Sequence, residues 1–440
     1  MKKLILSLSF VLLSSQTLYA QSVYTGVKIY TGKGEVIENG SLSIDKDGKI
    51  ENIEAGAKVV KNPKLTYDFS GKVLTPGFID VGTELGLTEI WAVKASNHTG
   101  AGNLDRDKDV IQPGYLAADG FNPNASAIPL SRTGGITSVL VNPEGGLISG
   151  QSAWIDLKGS QNTHASVKNN SVAIHVSLNA RAARKVGGST AGVVQLLREA
   201  FEDTVFLMKN TKALDGTRGK KSTLSRQDVL ALKKGLSGNI PIIFHVSKAA
   251  DILTTLKLAD TYGFKLIISG GEEAWMVADA LAKAKVAVIL NPFANLPSSF
   301  DKLGTRIDNA KLLHAAKVEV LLSTFEGHNV RNLRFAAGNA VRAGLPYQVA
   351  MSAITSTPAK NFGANNVGSI EKGKLANFVI WSGDPFEPSS FVEAMIIEGE
   401  RVSLDNRQEA LFRKYRKLQR RGVVPAKTPL KKEEKKKEKK

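Results

Sequence analysis

The chain has 440 residues, no cysteine and a formal net charge of +18. Its length accommodates a large barrel and a smaller second unit, and 42% hydrophobic with 23% charged residues is an ordinary globular balance. Without cysteine there is no disulfide, thiolate metal site, cysteine nucleophile or lipidated lipobox.

Residues 1–20 read as a secretory signal peptide. Lys2 and Lys3 precede an apolar run from Leu4 to Leu13, and Leu18-Tyr19-Ala20 offers a cleavage site ending in a small residue. The run is too short to span a bilayer, and no later segment is long and apolar enough to do so. The expected location is therefore the periplasm or the exterior. Short β-type runs come next at Val23–Tyr30, Ser41–Ile44, Ile50–Ile53 and Leu65–Phe69, with Asp47-Gly48 as a hairpin turn. Similar runs return near the far end, at Ala376–Trp381 and Ala394–Ile397, with Glu398-Gly399 as the turn. The two ends thus predict one composite β-sandwich domain from residues 21–75 and 366–405.

Residues 76–365 alternate apolar strands with helical patterns. Strands are expected at Ile240–Phe244, Lys265–Ile268, Val286–Leu290 and Val318–Leu322. Helices are expected over Lys248–Tyr262, Glu272–Ala284, Asn309–Ala316 and Arg331–Ala343. In the first helix Ile252, Leu253, Leu256 and Ala259 recur at helical spacing. Continuously apolar strands separated by helices predict a parallel α/β sheet, either a barrel or a doubly wound layer.

The charge is concentrated at the end. Residues 406–440 carry 15 Lys or Arg against 4 Glu, a balance of +11, and the leader adds +2, leaving +5 for residues 21–405. The body is only mildly basic, which argues against a nucleic-acid partner. The tail reads as a solvated, disordered charge run. Ala410–Arg421 can form a short amphipathic helix with Leu411, Phe412, Tyr415 and Leu418 on one side.

The choice between barrel and doubly wound sheet comes from residue strings. Val73-Leu74-Thr75-Pro76-Gly77-Phe78-Ile79-Asp80 resembles the strand that opens the barrel of the amidohydrolase superfamily. Gly373-Lys374-Leu375-Ala376-Asn377-Phe378-Val379-Ile380-Trp381 resembles the strand that returns to the small domain. Ala353–Lys360 and Val367–Gly373 match the segment between, and Asp119–Pro123, Gly134–Val139 and Leu196–Ala200 are similar to the imidazolonepropionase-like branch. These strings lie in collinear order. The resemblance implies a (β/α)8 TIM-like barrel, metal-dependent hydrolysis of non-peptide C–N bonds, and a site at the C-terminal strand ends. There a divalent ion makes hydroxide from bound water.

Position by position, the implied ligands are mostly absent. The His-x-His pair that ends the first strand corresponds to Gly82 and Glu84; the fifth-strand His is His245. The sixth-strand His corresponds to Gly270, and Phe325 stands where the eighth strand carries an Asp that is both ligand and base. Lys209 is a candidate fourth-strand ligand by location alone. The expectation is a catalytically impaired homologue without a resident metal, a small-molecule-binding or partner subunit working beside an active amidohydrolase paralogue or as a homo-oligomer. Two alternatives stand beside it. One is an active C–N hydrolase in which Glu84, His245 and Glu326 or His328 hold one zinc-like divalent cation; the other is an envelope adaptor acting through the tail. Gly82, Gly270, Asn291 and Gln151 are candidate pocket residues, with Asn122 and Asn142 at further strand ends. His175 reads as a core or sheet-face residue, His98 and His164 as loop residues, and His314 as helix surface. Gly145-Gly146 reads as a tight turn.

Overall fold

A computed structural model describes residues 22–56, 65–100, 110–159, 163–210 and 224–416. The leader and the tail beyond Arg416 lie outside the described residues. The N-terminal strands are β1 (Ser22–Tyr30), β2 (Val36–Ile44), β3 (Ile50–Ala55), β4 (Leu65–Asp68) and β5 (Val73–Pro76). The chain then enters β6 (Phe78–Thr83), β7 (Ile136–Val141), β8 (Ile148–Asp156), β9 (Val167–Ser177), β10 (Ile242–Val246), β11 (Leu266–Gly270), β12 (Ala287–Leu290) and β13 (Val320–Leu322). It closes with β14 (Phe378–Trp381), β15 (Val392–Ile397) and β16 (Glu400–Arg401).

Two sheets result. The first runs β16-β15-β14-β5-β1-β2-β3, with β4 also on β1, so the two ends of the chain build one hydrogen-bonded sheet. The second runs in sequence order from β6 to β13 and forms a nearly closed TIM-like barrel. Alternation along its strands divides the core. Ile79, Val81, Leu140, Ala173, Ile243, Ile267, Ile289 and Leu321 fill the interior, whereas Phe78, Val139, Phe244, Ile268, Val288 and Leu322 belong to the larger cluster shared with the helices.

One strand departs from the all-parallel pattern. β8 pairs antiparallel with both β7 and β9. The connection from Val141 to Ile148 is too short for a crossover helix, so the chain has to turn straight back. Gly145 and Gly146 make that turn at φ +93° and +67°. Because β7 ends at the barrel mouth, the turn is held there. The remaining barrel strands pair in parallel.

The predicted helices form with small adjustments. Ala249–Tyr262 ends at Gly263, which takes φ +73°, and it buries Ile252, Thr255 and Leu258 while Leu253 stays exposed. The expected helix over Glu272–Ala284 divides into a 3-10 turn, Ala274–Val277, and an α-helix, Ala278–Lys283. Beyond β16, Arg407–Tyr415 is helical, starting earlier than the sequence suggests because Asn406 accepts a hydrogen bond from the Glu409 N–H and caps it. No described helix is long and apolar enough to cross a membrane.

The first and last barrel strands are tied by a side chain. Asp80 is fully buried, and its carboxylate accepts from Ser323 Oγ at 2.5 Å, Thr324 Oγ1 at 2.6 Å, Thr324 N at 3.1 Å and Gly82 N at 3.0 Å. Burial pushes its pKa up, and the four donors work against that rise. The motif aspartate thus latches β6 to the segment after β13.

Candidate active site

The C-terminal ends of the barrel strands surround two adjoining cavities. The first, about 200 Å3, is lined by Gly82, Glu84, Asn142, Glu144, Arg181, His245 and Phe325 among others. The second shares Asn179, Arg181, His245 and Phe325 with it and adds Ser269, Gly270, Glu272, Asn291, Asp301 and Lys302. Gly82, Glu84, His245, Gly270, Asn291 and Phe325, all singled out from sequence, therefore meet at one mouth. Gln151 does not. It is buried in the β8 hairpin, where Nε2 donates to Pro113 O and Oε1 accepts from Ser171 Oγ. Lys209 is exposed at the end of the helix Thr190–Lys209 and lines neither cavity.

The alternative metal site is not assembled. Glu326 and His328 are exposed and line neither cavity, because the loop turns outward after Phe325; Thr83 Oγ1 fastens the Glu326 carbonyl at 2.6 Å. Among the described residues no three His, Asp or Glu side chains gather as a metal site would require.

Two substitutions explain each other. Phe325 takes φ +52°, a left-handed conformation uncommon for an aromatic residue. Its ring lies against Gly82: a Cβ at position 82 would sit 2.6 Å from Phe325 Cδ1 and 2.4 Å from Ser323 Oγ. No side chain fits at position 82 unless this ring moves. Gly270, where the resemblance implies a further ligand, sits at φ +96°, where an L side chain is strained.

His245 has acquired a partner that the sequence alone did not identify. His175 stands on the neighbouring strand β9, paired in register with Ile243, and therefore on the same inward face as His245. Its Nδ1 is 2.9 Å from His245 Nε2, and the rings stack at 5.2 Å. One proton joins the two nitrogens, so the lone pair of one ring is taken by the other. Burial drives both below the ordinary histidine range, His245 to about 4 with Glu144 opposing, and His175 well below, helped by His245. Both are neutral at pH 7. Alternation in β9 together with its register against β10 was the signal available, and a lone strand histidine does not reveal the register.

Glu144 is the other addition, delivered by the Gly145-Gly146 turn. It faces Glu84, and burial, the Glu144 charge and a hydrogen bond between the two carboxyls raise Glu84 to about 8; Thr88 and Arg181 oppose. At neutral pH Glu84 therefore stays largely protonated, as a partly buried acid beside a second carboxylate does. Arg181 Nη1 approaches Glu144 Oε2 at 3.9 Å from the helix Ala180–Lys185. Asn142, with Nδ2 bound to Val81 O at 3.0 Å, leaves a buried Oδ1 without a protein donor at the same cavity. The mouth is thus a polar pocket with a protonated acid, a neutral histidine pair and a cation. It can hydrogen-bond a small molecule, and among the described residues no group of three His, Asp or Glu side chains stands there to hold an ion.

Known proteins place this geometry. The amidohydrolase family matches residues 129–409. An amidohydrolase, tasK, of Hapsidospora irregularis is 22% identical over 385 residues, covering 80% of this chain but only 38% of its own length, so the chain spans well under half of that relative. The crystal structure of an amidohydrolase from Thermotoga maritima superposes with a TM-score of 0.77 at 25% identity, covering 87% of this chain and 99% of that one. Phenylurea hydrolase B, at 14% identity and TM-score 0.54, shares the fold over 88% of this chain and 97% of its own. With the matched segment spanning most of the barrel and the returning strands, the chain belongs to the amidohydrolase family.

Proposed function

We propose that this protein is an exported member of the family that binds a small molecule at the barrel mouth and does not, by itself, hydrolyse C–N bonds through a metal hydroxide. The observation that carries the reading is the Phe325 ring packed on Gly82, which fills the room for one family ligand while standing in place of another. The mutual bond between His175 and His245 supports it, since it occupies Nε2 of the retained histidine. Removing a general base alone typically costs 10²–10⁴-fold in rate, and here the metal donors are missing as well. A binding or partner subunit, alongside an active paralogue or a second copy of itself, fits a family scaffold kept intact around such a pocket.

The test is elemental metal analysis and hydrolase assay of the protein recovered from the periplasm, with its N-terminus sequenced. The expected results are a start at Gln21, metal well below one equivalent, and no chelator-sensitive turnover of cyclic amides or N-acyl amino acids. One equivalent of zinc or manganese together with turnover abolished in His245→Ala would overturn the reading.

A further inference from the structure

The helix Arg407–Tyr415 has no buried residue among the described residues. Leu411, Phe412 and Tyr415 share one side at helical spacing and are 41%, 61% and 51% exposed. Lys414 and Arg416 border that stripe, lying over the Tyr415 and Phe412 rings, while Arg413 is held by Asp405 at 3.1 Å; in sequence, residues 406–440 carry a balance of +11. The helix is also fixed in direction at its root. Asn406 is buried and caps it, and the buried Arg132 guanidinium donates to the Ser403 carbonyl at 3.2 Å.

From this arrangement we infer that the helix Arg407–Tyr415 lies on the surface of an anionic lipid bilayer. An apolar stripe bordered by cations, on a helix of low overall hydrophobicity, is the pattern of a segment that lies in the headgroup plane. The cations meet anionic headgroups, and their aliphatic stems allow the charges to reach outward while the stripe sinks. A solubilising tail needs no exposed Leu, Phe and Tyr on one face. Nor does a nucleic acid: phosphate contacts use the charge and leave the stripe in water. The inference is independent of the barrel's chemistry.

The experiment is co-sedimentation of the purified full chain with phosphatidylcholine vesicles, with and without phosphatidylglycerol, alongside a triple variant carrying Leu411→Ser, Phe412→Ser and Tyr415→Ser. All three positions are exposed, so an unchanged melting temperature verifies folding, and the charge is the same. The native chain should pellet with phosphatidylglycerol vesicles and not with phosphatidylcholine alone. The variant should partition roughly 30-fold less or weaker still, from about tenfold per apolar side chain withdrawn from water, discounted for partial burial. Native protein left in the supernatant, or a variant that binds as well as the native chain, overturns the inference. So does a DNA duplex bound more tightly than the anionic vesicles.

Discussion

Asp80 and Glu84, four positions apart, are both acids pushed upward by burial, and they behave oppositely on substitution because their surroundings differ. Asp80 accepts from four donors. Asp80→Asn turns an amide N–H toward some of them and leaves buried groups unpaired, which should cost ~3 kcal/mol of unfolding free energy in urea titrations; a loss below about 1 kcal/mol would mean the latch is dispensable. Glu84 instead faces another acid. Its folded-state pKa of about 8 lies above its ordinary 4.5, so the folded chain holds a proton that the unfolded chain releases. Its contribution to stability is therefore fully present below about 4.5 and is lost as pH rises through 8. Glu84→Gln should remove that decline. The variant's denaturation midpoint should gain on the native protein's between pH 5 and 8.5, and parallel pH profiles would show that Glu84 does not hold its proton in the folded chain. The sequence marked Glu84 as a barrel-mouth carboxyl, but its proton depends on Glu144, a distant residue in the chain.

At the scale of elements, the composite sheet and the barrel are joined through Trp381 on β14. Its indole is fully buried, stacks on Phe78 of β6 at 5.3 Å and donates to Thr75 Oγ1 at 3.0 Å. These partners are all residues of the strings that resemble the family, which gives those strings a packing reason. Trp381→Ala should destabilise by about 4 kcal/mol, the range for deleting a buried aromatic, read as a lower denaturant midpoint. Gly77 has a similar reason: an added Cβ would fall 2.0 Å from Thr137 Oγ1, where β6 runs against β7. The strands of this interface were readable from apolar runs and turn residues. The antiparallel course of β8 was not, because its residues have the same apolar character in either direction and only the short return from Val141 fixes it.

For the molecule as a whole, the terminal helix and the basic segment after it are expected to contribute little to folding. Residues 407–416 are all exposed, so a chain ending at Asn406 should melt within about 2 °C of the full chain by calorimetry, as surface changes do. A larger drop would mean that the helix packs on the body after all. By itself the sequence determined the family and the two-part architecture, and through the resemblance it implied missing donors at positions 82, 270 and 325. Those are properties of residue type and local order, and residue type alone decides whether a ligand atom exists. Only the tertiary structure decided which groups converge. It seated His175 on His245 across 70 residues, brought Glu144 to Glu84, closed Phe325 over Gly82 and turned Glu326 and His328 away. Such meetings depend on strand register and on the direction of short turns, and those are set by pairing between segments far apart in the chain.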